Sequence, residues 1–386
     1  MRILHVTREL GSDRRFGMGR AIAPAIDALA ARGHQLRYLT QDDLSAAEVA
    51  RRERWSARLR SVLRTLAGDA GEVLGHVFGE RLSMGVAASH AARQLQAEVV
   101  HLHDPWLALG FAWAEGLGGA RRRAWGLTQH GFGSYTEAIR EEGVPTTAAL
   151  LRWQRRLEAR VLRAARFVCC PTSLARDQLR RDLALPAVPA HWHVLPHALR
   201  PRIAGPVAPA LPAGVPVVLA VGRLNPVKRM EAVVQAAALL QQRVHVQLLG
   251  SGDEAPLRQL LPADGRVTLD LQLVDDVAPW LRASQVYVSA SRNESFGLAN
   301  LEALACGTPA VCTAVGGVPE VTGGAAWLVP GGDAGLVDAL AAAMRELVHD
   351  PELRRQWAAR GLAHAERWPD ADAVAQRHEA IYRTLA

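Results

Sequence analysis

Apolar residues in this chain fall into short runs divided by stretches with helical spacing. The runs at residues 3–6, 35–39, 98–102, 124–128, 167–170, 217–221, 244–249, 267–273 and 286–288 have the length of strands. Residues 217–221 are apolar throughout, as a strand buried on both faces of a parallel sheet must be. Between the runs, Ile22, Ile26 and Leu29, then Trp153, Leu157 and Val161, then Val233 and Leu239 recur at helical intervals. Strand alternating with helix predicts a doubly wound α/β fold. At 386 residues the chain exceeds the size at which one core keeps growing, so two domains are expected. Eight prolines between Pro186 and Pro216 break any helix and predict a linker, placing the domains at residues 1–200 and 201–365.

Residues 291–319 carry the densest chemical pattern. The strand at 286–288 feeds a loop, and Phe296, Leu298, Leu301 and Leu304 then switch to helical spacing. Free amides at such a helix start attract phosphate. Glu294 sits just before the first helical turn and Glu302 eight residues later, a rise of roughly 12 Å were the whole span helical, which lays both side chains along one broad face. A nucleoside diphosphate sugar on that face would offer a sugar hydroxyl to Glu294, phosphate oxygens to the amides of Phe296, Gly297 and Leu298, and a ribose diol to Glu302. A helix with merely solvated glutamates leaves the glycines and the spacing unexplained.

The order Glu294-x7-Glu302, Phe296-Gly297-Leu298, Cys306-Gly307-Thr308-Pro309 and Gly316-Gly317-Val318-Pro319-Glu320 resembles the retaining glycosyltransferases of family 4, which have the GT-B fold. The resemblance implies two Rossmann-like domains facing an interdomain cleft, the nucleotide sugar held mainly by the second. Residues 366–386 resemble the family's last segment, which crosses back to the first domain. Ser295 stands where the family has Gly after the first Glu, and Pro196-His197-Ala198 where it has an Asn-Gly turn.

Charge sharpens the second-domain site. Nearly all basic residues are Arg, and Lys228 is the only lysine. It stands five residues after Arg223 in the loop following residues 217–221, where two cations can neutralise a diphosphate, Arg as a planar fork and Lys as a point charge. Gly222-Arg223 and Lys228 resemble the family's phosphate site. Surface charge is the plain alternative.

The first domain offers weaker signals. The glycine loop at Gly17 and Gly19 follows the first strand, where α/β folds bind ligands; a tight turn reads the same residues equally well. Gly17 resembles the second member of the family's glycine pair, which implies a backbone approach to the donor, and Phe16 replaces the first. His130 ends the strand at 124–128, preceded by Arg121, Arg122 and Arg123, and resembles the family's cleft histidine beside the donor sugar. His103-Asp104-Pro105 ends another strand; Asp104 reads as a turn that starts a helix, and His103 as a candidate acceptor contact.

Residues 1–200 hold 29 basic and 19 acidic residues, the remainder 16 and 19, so the first half is built to meet something anionic. Trp55, Leu59, Val62, Leu63 and Leu66 form a helical stripe within an arginine-rich segment at 51–66. Such a helix suits an anionic membrane surface, and equally a surface helix packed on its own domain. No secretory signal or membrane-spanning run is visible, which predicts a cytoplasmic protein, peripheral on the inner membrane face if that helix docks. Cys169, Cys170, Cys306 and Cys312 have no metal-ligand spacing and read as reduced thiols. Asp370 and Asp372 flank a helix start and read as capping, so no metal site is expected.

Together the resemblance implies a metal-independent, retaining hexosyltransferase without a cofactor, with His130, Glu294, Arg223 and Lys228 as catalytic candidates. Its partners would be a nucleotide-sugar donor and a sugar or glycolipid acceptor, with no nucleic acid, in cell-surface polysaccharide or glycolipid synthesis. Arg223, Lys228 and the helix-start amides would stabilise the leaving diphosphate. A nucleotide-sugar epimerase of the same fold would alter donor without acceptor, and a non-catalytic sensor would bind it unchanged. A dinucleotide dehydrogenase lacks support, because the opening loop has no G-x-G-x-x-G fingerprint.

Overall fold

The computed structural model describes residues 1–9, 17–117, 123–141, 147–199 and 211–385. Gly11, Phe16, Arg121, Arg122, Pro201, Pro206 and Pro209 lie outside the described residues. Two compact units emerge: Met1–Ala198 with Ala371–Ala386, and Leu199–Asp370.

In the first unit, β1 (Arg2–Val6), α1 (Gly17–Ala31) and β2 (Gln35–Leu39) open a Rossmann-like unit. They are followed by α2 (Ala46–Leu95), β3 (Val99–Leu102), α3 (Pro105–Leu117), β4 (Ala124–Thr128), α4 (Tyr135–Glu141), α5 (Ala148–Ala164), β5 (Val168–Cys170), α6 (Ser173–Asp182) and β6 (Trp192–Val194). All strands pair in parallel in the order β2-β1-β3-β4-β5-β6, so the winding reverses between β1 and β3. Alternation along each strand sorts the two faces: Leu4, Val6, Val100 and Leu102 pack with Leu107 and Phe111, while Ile3 and Val99 pack with Leu29 of α1 and Phe167.

Two sequence expectations change here. The proline-rich stretch is not a linker from Pro186, because β6 lies within it and pairs with β5; its flanking Pro189 and Pro196 fall outside the strand, where no ladder amide is needed. The helix at 51–66 is one limb of α2, which breaks at Ala67 and Gly68 (φ 60°) and folds back on itself. The limbs meet at a glycine ladder: a Cβ on Gly71, Gly75 or Gly79 would stand 1.8 Å from Leu63 O, 2.4 Å from Arg60 N or 2.4 Å from Ser56 Cα. Much of the predicted stripe therefore turns inward. Leu59 and Leu63 pack with Leu74 and Phe78, and Trp55 lies edge-on to Trp113 at 5.7 Å, while Val62 and Leu66 are 56% and 76% exposed.

The second unit runs β7 (Val217–Val221), α7 (Met230–Ala238), β8 (Val244–Leu249), α8 (Ala255–Arg258), β9 (Val267–Gln272), α9 (Ala278–Ala283), β10 (Val286–Ser289) and α10 (Leu298–Ala305). It continues through β11 (Ala310–Thr313), α11 (Val318–Thr322), β12 (Trp327–Val329), α12 (Leu336–His349) and α13 (Pro351–Glu366). Its parallel sheet has the order β12-β11-β10-β7-β8-β9, reversing between β7 and β10. The chain then returns to the first unit as α14 (Ala371–Arg383), whose Val374, Ala375 and Tyr382 complete the core with Ile3, Leu29 and Phe167. Glu379 and Asp372 of α14 pair with Arg32 at 2.8 and 3.0 Å. Among the described residues, no helix is long and apolar enough to cross a membrane.

Candidate active site

In open α/β sheets the crevice at the strands' carboxyl ends, where the winding reverses, is the place for a ligand. In the second unit that place belongs to the loops after β7 and β10. The first is closed by Asn225, whose carbonyl and side-chain oxygens each accept the Lys228 amide at 3.0 Å. The two loops are then tied together by Arg229, 3% exposed and in the left-handed region at φ 47°. Its guanidinium donates to Ala290 O (2.7 Å), Ser291 O (3.0 Å), Gly331 O (3.0 Å) and Asp333 Oδ1 (2.8 Å). The Arg292 amide adds a bond to Val227 O at 2.7 Å. With the loops so clamped, Lys228 Nζ meets Glu294 Oε2 at 2.5 Å. Arg223 is exposed and makes no hydrogen bond or ion pair among the described residues.

Glu294 precedes the helix, as the sequence placed it, so the span to Glu302 is not helical throughout. Gly297 takes φ 78°, and a Cβ there would stand 2.5 Å from Asn300 Nδ2, so α10 begins only at Leu298. Glu294 is thus a loop residue, fixed through its carbonyl by the Gly317 amide at 2.8 Å, and Glu302 belongs to the helix. The two carboxylates still share a neighbour. Burial, with Cys312, Glu294 and then Glu302 adding negative potential, holds the Tyr287 hydroxyl well above its ordinary pKa. Tyr287 Oη donates to Asn300 Oδ1 at 2.9 Å. Phe296 is buried with Leu301 and Val321 and edge-on to Trp368, so it shapes the loop, and its ring does not face solvent.

In the first unit the reversal point gathers histidines. Period-two alternation puts His5 and His101 on the face that α1 and α14 cover, next to Ile3 and Val99. His5 Nδ1 lies 3.1 Å from His103 Nε2, and His103 Nδ1 lies 2.9 Å from His130 Nε2. His101 is held by Tyr382 Oη at 2.6 Å and Thr128 Oγ1 at 2.7 Å, and His130 stacks on His197 at 5.4 Å. His5, His103, His130, His197 and His378 line one cavity. Burial first, and neighbouring imidazoles second, push His101, His103 and His130 well below the usual histidine pKa, and His197 to about 4. His5, His101 and His103 bring one ring nitrogen each within 4.8 Å of the others, close enough to ligate a metal ion, but in this structure His103 bonds to His5 and His130, and His101 to Tyr382 and Thr128.

Two neighbouring features are structural. Asp104 Oδ1 accepts from the Trp106 amide at 2.7 Å and Asp104 Oδ2 takes Arg81 Nε at 2.9 Å, so it starts α3. Gly17 opens α1, but the next two amides, of Met18 and Gly19, each donate to the Glu9 carboxylate at 2.6 Å, an internal anion at that helix start. Sequence reasoning missed Glu9, Asn225, Arg229, His5 and His197. Arg229 was hidden by the abundance of arginine, although its place beside the lone lysine was a usable signal.

A model of the family described as Glycosyltransferase Family 4 matches residues 17–201, and one described as Glycosyl transferases group 1 matches residues 215–350. The chain belongs to glycosyltransferase family 4. Among its relatives, a D-inositol 3-phosphate glycosyltransferase of Thermobispora bispora is 33% identical over 203 residues, covering 45% of this chain and 46% of the relative. An N-acetyl-alpha-D-glucosaminyl L-malate synthase of Bacillus anthracis is 31% identical over 174 residues, covering 43% and 45%. The chain thus spans about half the length of these two curated relatives. A D-inositol 3-phosphate glycosyltransferase of Arthrobacter sp. (strain FB24) is 28% identical, covering 80% and 76%. In fold the chain is similar to a sucrose-phosphate synthase from Thermosynechococcus elongatus (TM-score 0.76, 23% identity, covering 100% and 98%). It is also similar to Anabaena HepE, solved in complex with UDP and glucose (TM-score 0.67, 16% identity, covering 100% of both). The fold is GT-B, two Rossmann-like units.

Proposed function

We propose that this family-4 protein transfers a sugar from a nucleoside diphosphate sugar to an acceptor hydroxyl with retention of anomeric configuration. The observation that carries the reading is the meeting of Lys228 and Glu294 at the reversal point of the second sheet, with Arg223 exposed on the same loop. Lys228 and Arg223 hold the diphosphate, the α10 amides beginning at Leu298 add positive potential, Glu294 binds a sugar hydroxyl and Glu302 the ribose. As the glycosidic bond breaks, negative charge grows on the leaving diphosphate, where these groups are already aimed. The diphosphate assists deprotonation of the acceptor on the same face. His130, a neutral imidazole, orients the substrate near the reacting carbon.

The acceptor is a glycolipid or polysaccharide precursor presented at the anionic inner face of the cell membrane. Exposed Val62 and Leu66 beside exposed Arg58, Arg60 and Arg64 support that partner. Replacing these three arginines with Gln is expected to reduce sedimentation with anionic vesicles; unchanged sedimentation removes the membrane from the reading.

A thermal-shift screen of UDP, GDP, ADP and TDP sugars tests the donor, since a ligand of the native state raises stability by mass action. Transfer is then followed by the anomeric proton coupling of the product. No stabilisation by any nucleotide sugar, or a product of inverted configuration, would overturn the reading.

A further inference from the structure

We infer that His103 and His5 are positioning residues for His130: the three imidazoles form one hydrogen-bonded chain that obliges them to share a single tautomer. This inference rests on the proposed role of His130 at the substrate. Geometry supplies the chain, with His5 Nδ1 and His103 Nε2 3.1 Å apart and His103 Nδ1 and His130 Nε2 2.9 Å apart. A neutral imidazole has one N–H donor and one bare acceptor nitrogen. Both nitrogens of His103 face another imidazole, so one must donate and the other accept. If His103 carries its proton on Nδ1, it donates to His130 Nε2, which leaves His130 protonated on Nδ1; its own Nε2 then accepts from His5 Nδ1. If the proton is on His103 Nε2, every ring is protonated on Nε2. No mixed arrangement satisfies both contacts.

An imidazolium at His103 could donate both ways, but burial and the neighbouring rings disfavour that charge. The rings have no freedom to swing apart either. His103 stacks on His101 at 4.6 Å and 13°, and His101 is pinned by Tyr382 and Thr128. His130 lies against His197 with an interplanar angle of 5°. The state of His130 Nδ1, donor or acceptor, is therefore coupled across two rings to the state of His5. Interconverting the two arrangements moves each bridging proton to its neighbour, while one proton leaves one end of the chain, His130 Nδ1 or His5 Nε2, and another enters at the opposite end. His130 thus changes its hydrogen-bonding role only together with His5.

The test uses the full chain labelled with 15N-histidine, its 14 histidines assigned by single His→Gln variants. Long-range 1H–15N correlation at neutral pH distinguishes Nδ1–H from Nε2–H rings. His5, His103 and His130 are expected to report the same tautomer, or the same tautomer ratio. In H103Q, with H103F as the second variant should H103Q not fold, the His130 pattern is expected to change. Turnover should fall about tenfold or more with donor KM nearly unchanged. Differing tautomers among the three rings, or a His130 spectrum unmoved in both variants, overturns the chain. Should no transfer activity exist, the spectra still decide the chain while the proposed function alone fails. A shared tautomer with turnover unaffected in a folded variant overturns the positioning role.

Discussion

Lys228 and Glu294, sixty-six residues apart in sequence, bring an ammonium and a carboxylate to 2.5 Å at the mouth of the second sheet. Each neutralises the other, and both remain partly accessible. A bound diphosphate and a sugar hydroxyl would compete for these same two groups, so donor binding exchanges one ion pair for two separate contacts. The Ala variant of Lys228 is expected to weaken nucleoside diphosphate binding about 10- to 100-fold, the worth of one charge-assisted contact. In E294Q that affinity should hold or rise while turnover is lost, because the lysine is released and the sugar contact is impaired. Calorimetric titration with the nucleotide that gives the largest thermal shift distinguishes the two; unchanged affinity in K228A removes the lysine from the site.

Arg229 makes the site's geometry expensive to lose. Removing its guanidinium strands the carbonyls of Ala290, Ser291 and Gly331 and releases Asp333. The expected cost of R229A is about 3 kcal/mol of second-unit stability. R229K should recover only part, since an ammonium cannot fork to several carbonyls at fixed angles. Denaturant midpoints measure both variants, and an R229A midpoint equal to that of the parent contradicts the clamp.

The glycine ladder of α2 predicts a local packing defect. In G75A the new methyl would stand 2.4 Å from Arg60 N, so the limbs must separate. About 2 kcal/mol of destabilisation is expected, in the range of overpacked cores. The exposed neighbour Asp69 offers a control: D69A should change little. Urea melts of the two variants give the comparison.

Acid should loosen the first unit. His197 and His378 are pushed down from the ordinary 6.5 to about 4, chiefly by burial, and His101, His103 and His130 shift the same way. Between the unfolded and folded pKa the unfolded chain binds more protons. The stability is therefore present above about 6.5 and is lost as pH falls toward 4. Glu158 works oppositely: burial lifts it to about 7, so its contribution fades as pH rises from 4.5 toward 7. Six histidines, His193 included, against two raised carboxyls, Glu9 and Glu158, give a net loss on acidification, a fall in thermal midpoint of about 5–10 °C between pH 7 and 5. Hydrogen exchange in peptides from β1, β3 and α14 locates it; a midpoint that rises on acidification refutes the sign.

Most strands were legible because buried parallel strands announce themselves as apolar runs, as Val217–Val221 does. The α2 hairpin was not. Besides Leu59, Leu63, Leu74 and Phe78, its limbs meet at Gly71, Gly75, Gly79 and Ser56, small residues with no hydrophobic signal, and only backbone proximity explains those four. Likewise, the sequence placed Glu294 just before the helix, as found, but nothing in the periodicity marks the left-handed turn at Gly297 that sets where α10 begins. β6 was hidden by its flanking prolines, because composition spoke for a linker while pairing with β5 decided otherwise. At the site, Lys228 stood out by rarity and Glu294 by motif. The histidine chain could not be foreseen, because its members come from three strand ends that adjoin only once the sheet has formed.

The return of α14 to the first unit imposes an order on synthesis. Val374, Ala375 and Tyr382 fill a core whose other walls, Ile3, Leu29, Val99 and Phe167, leave the ribosome well over a hundred residues earlier. Those walls stay wet until the whole of Leu199–Asp370 has been translated. The nascent first half must therefore wait, partly open, and a ribosome stalled before Ala371 would hold a chain with a greasy seam for chaperones to cover.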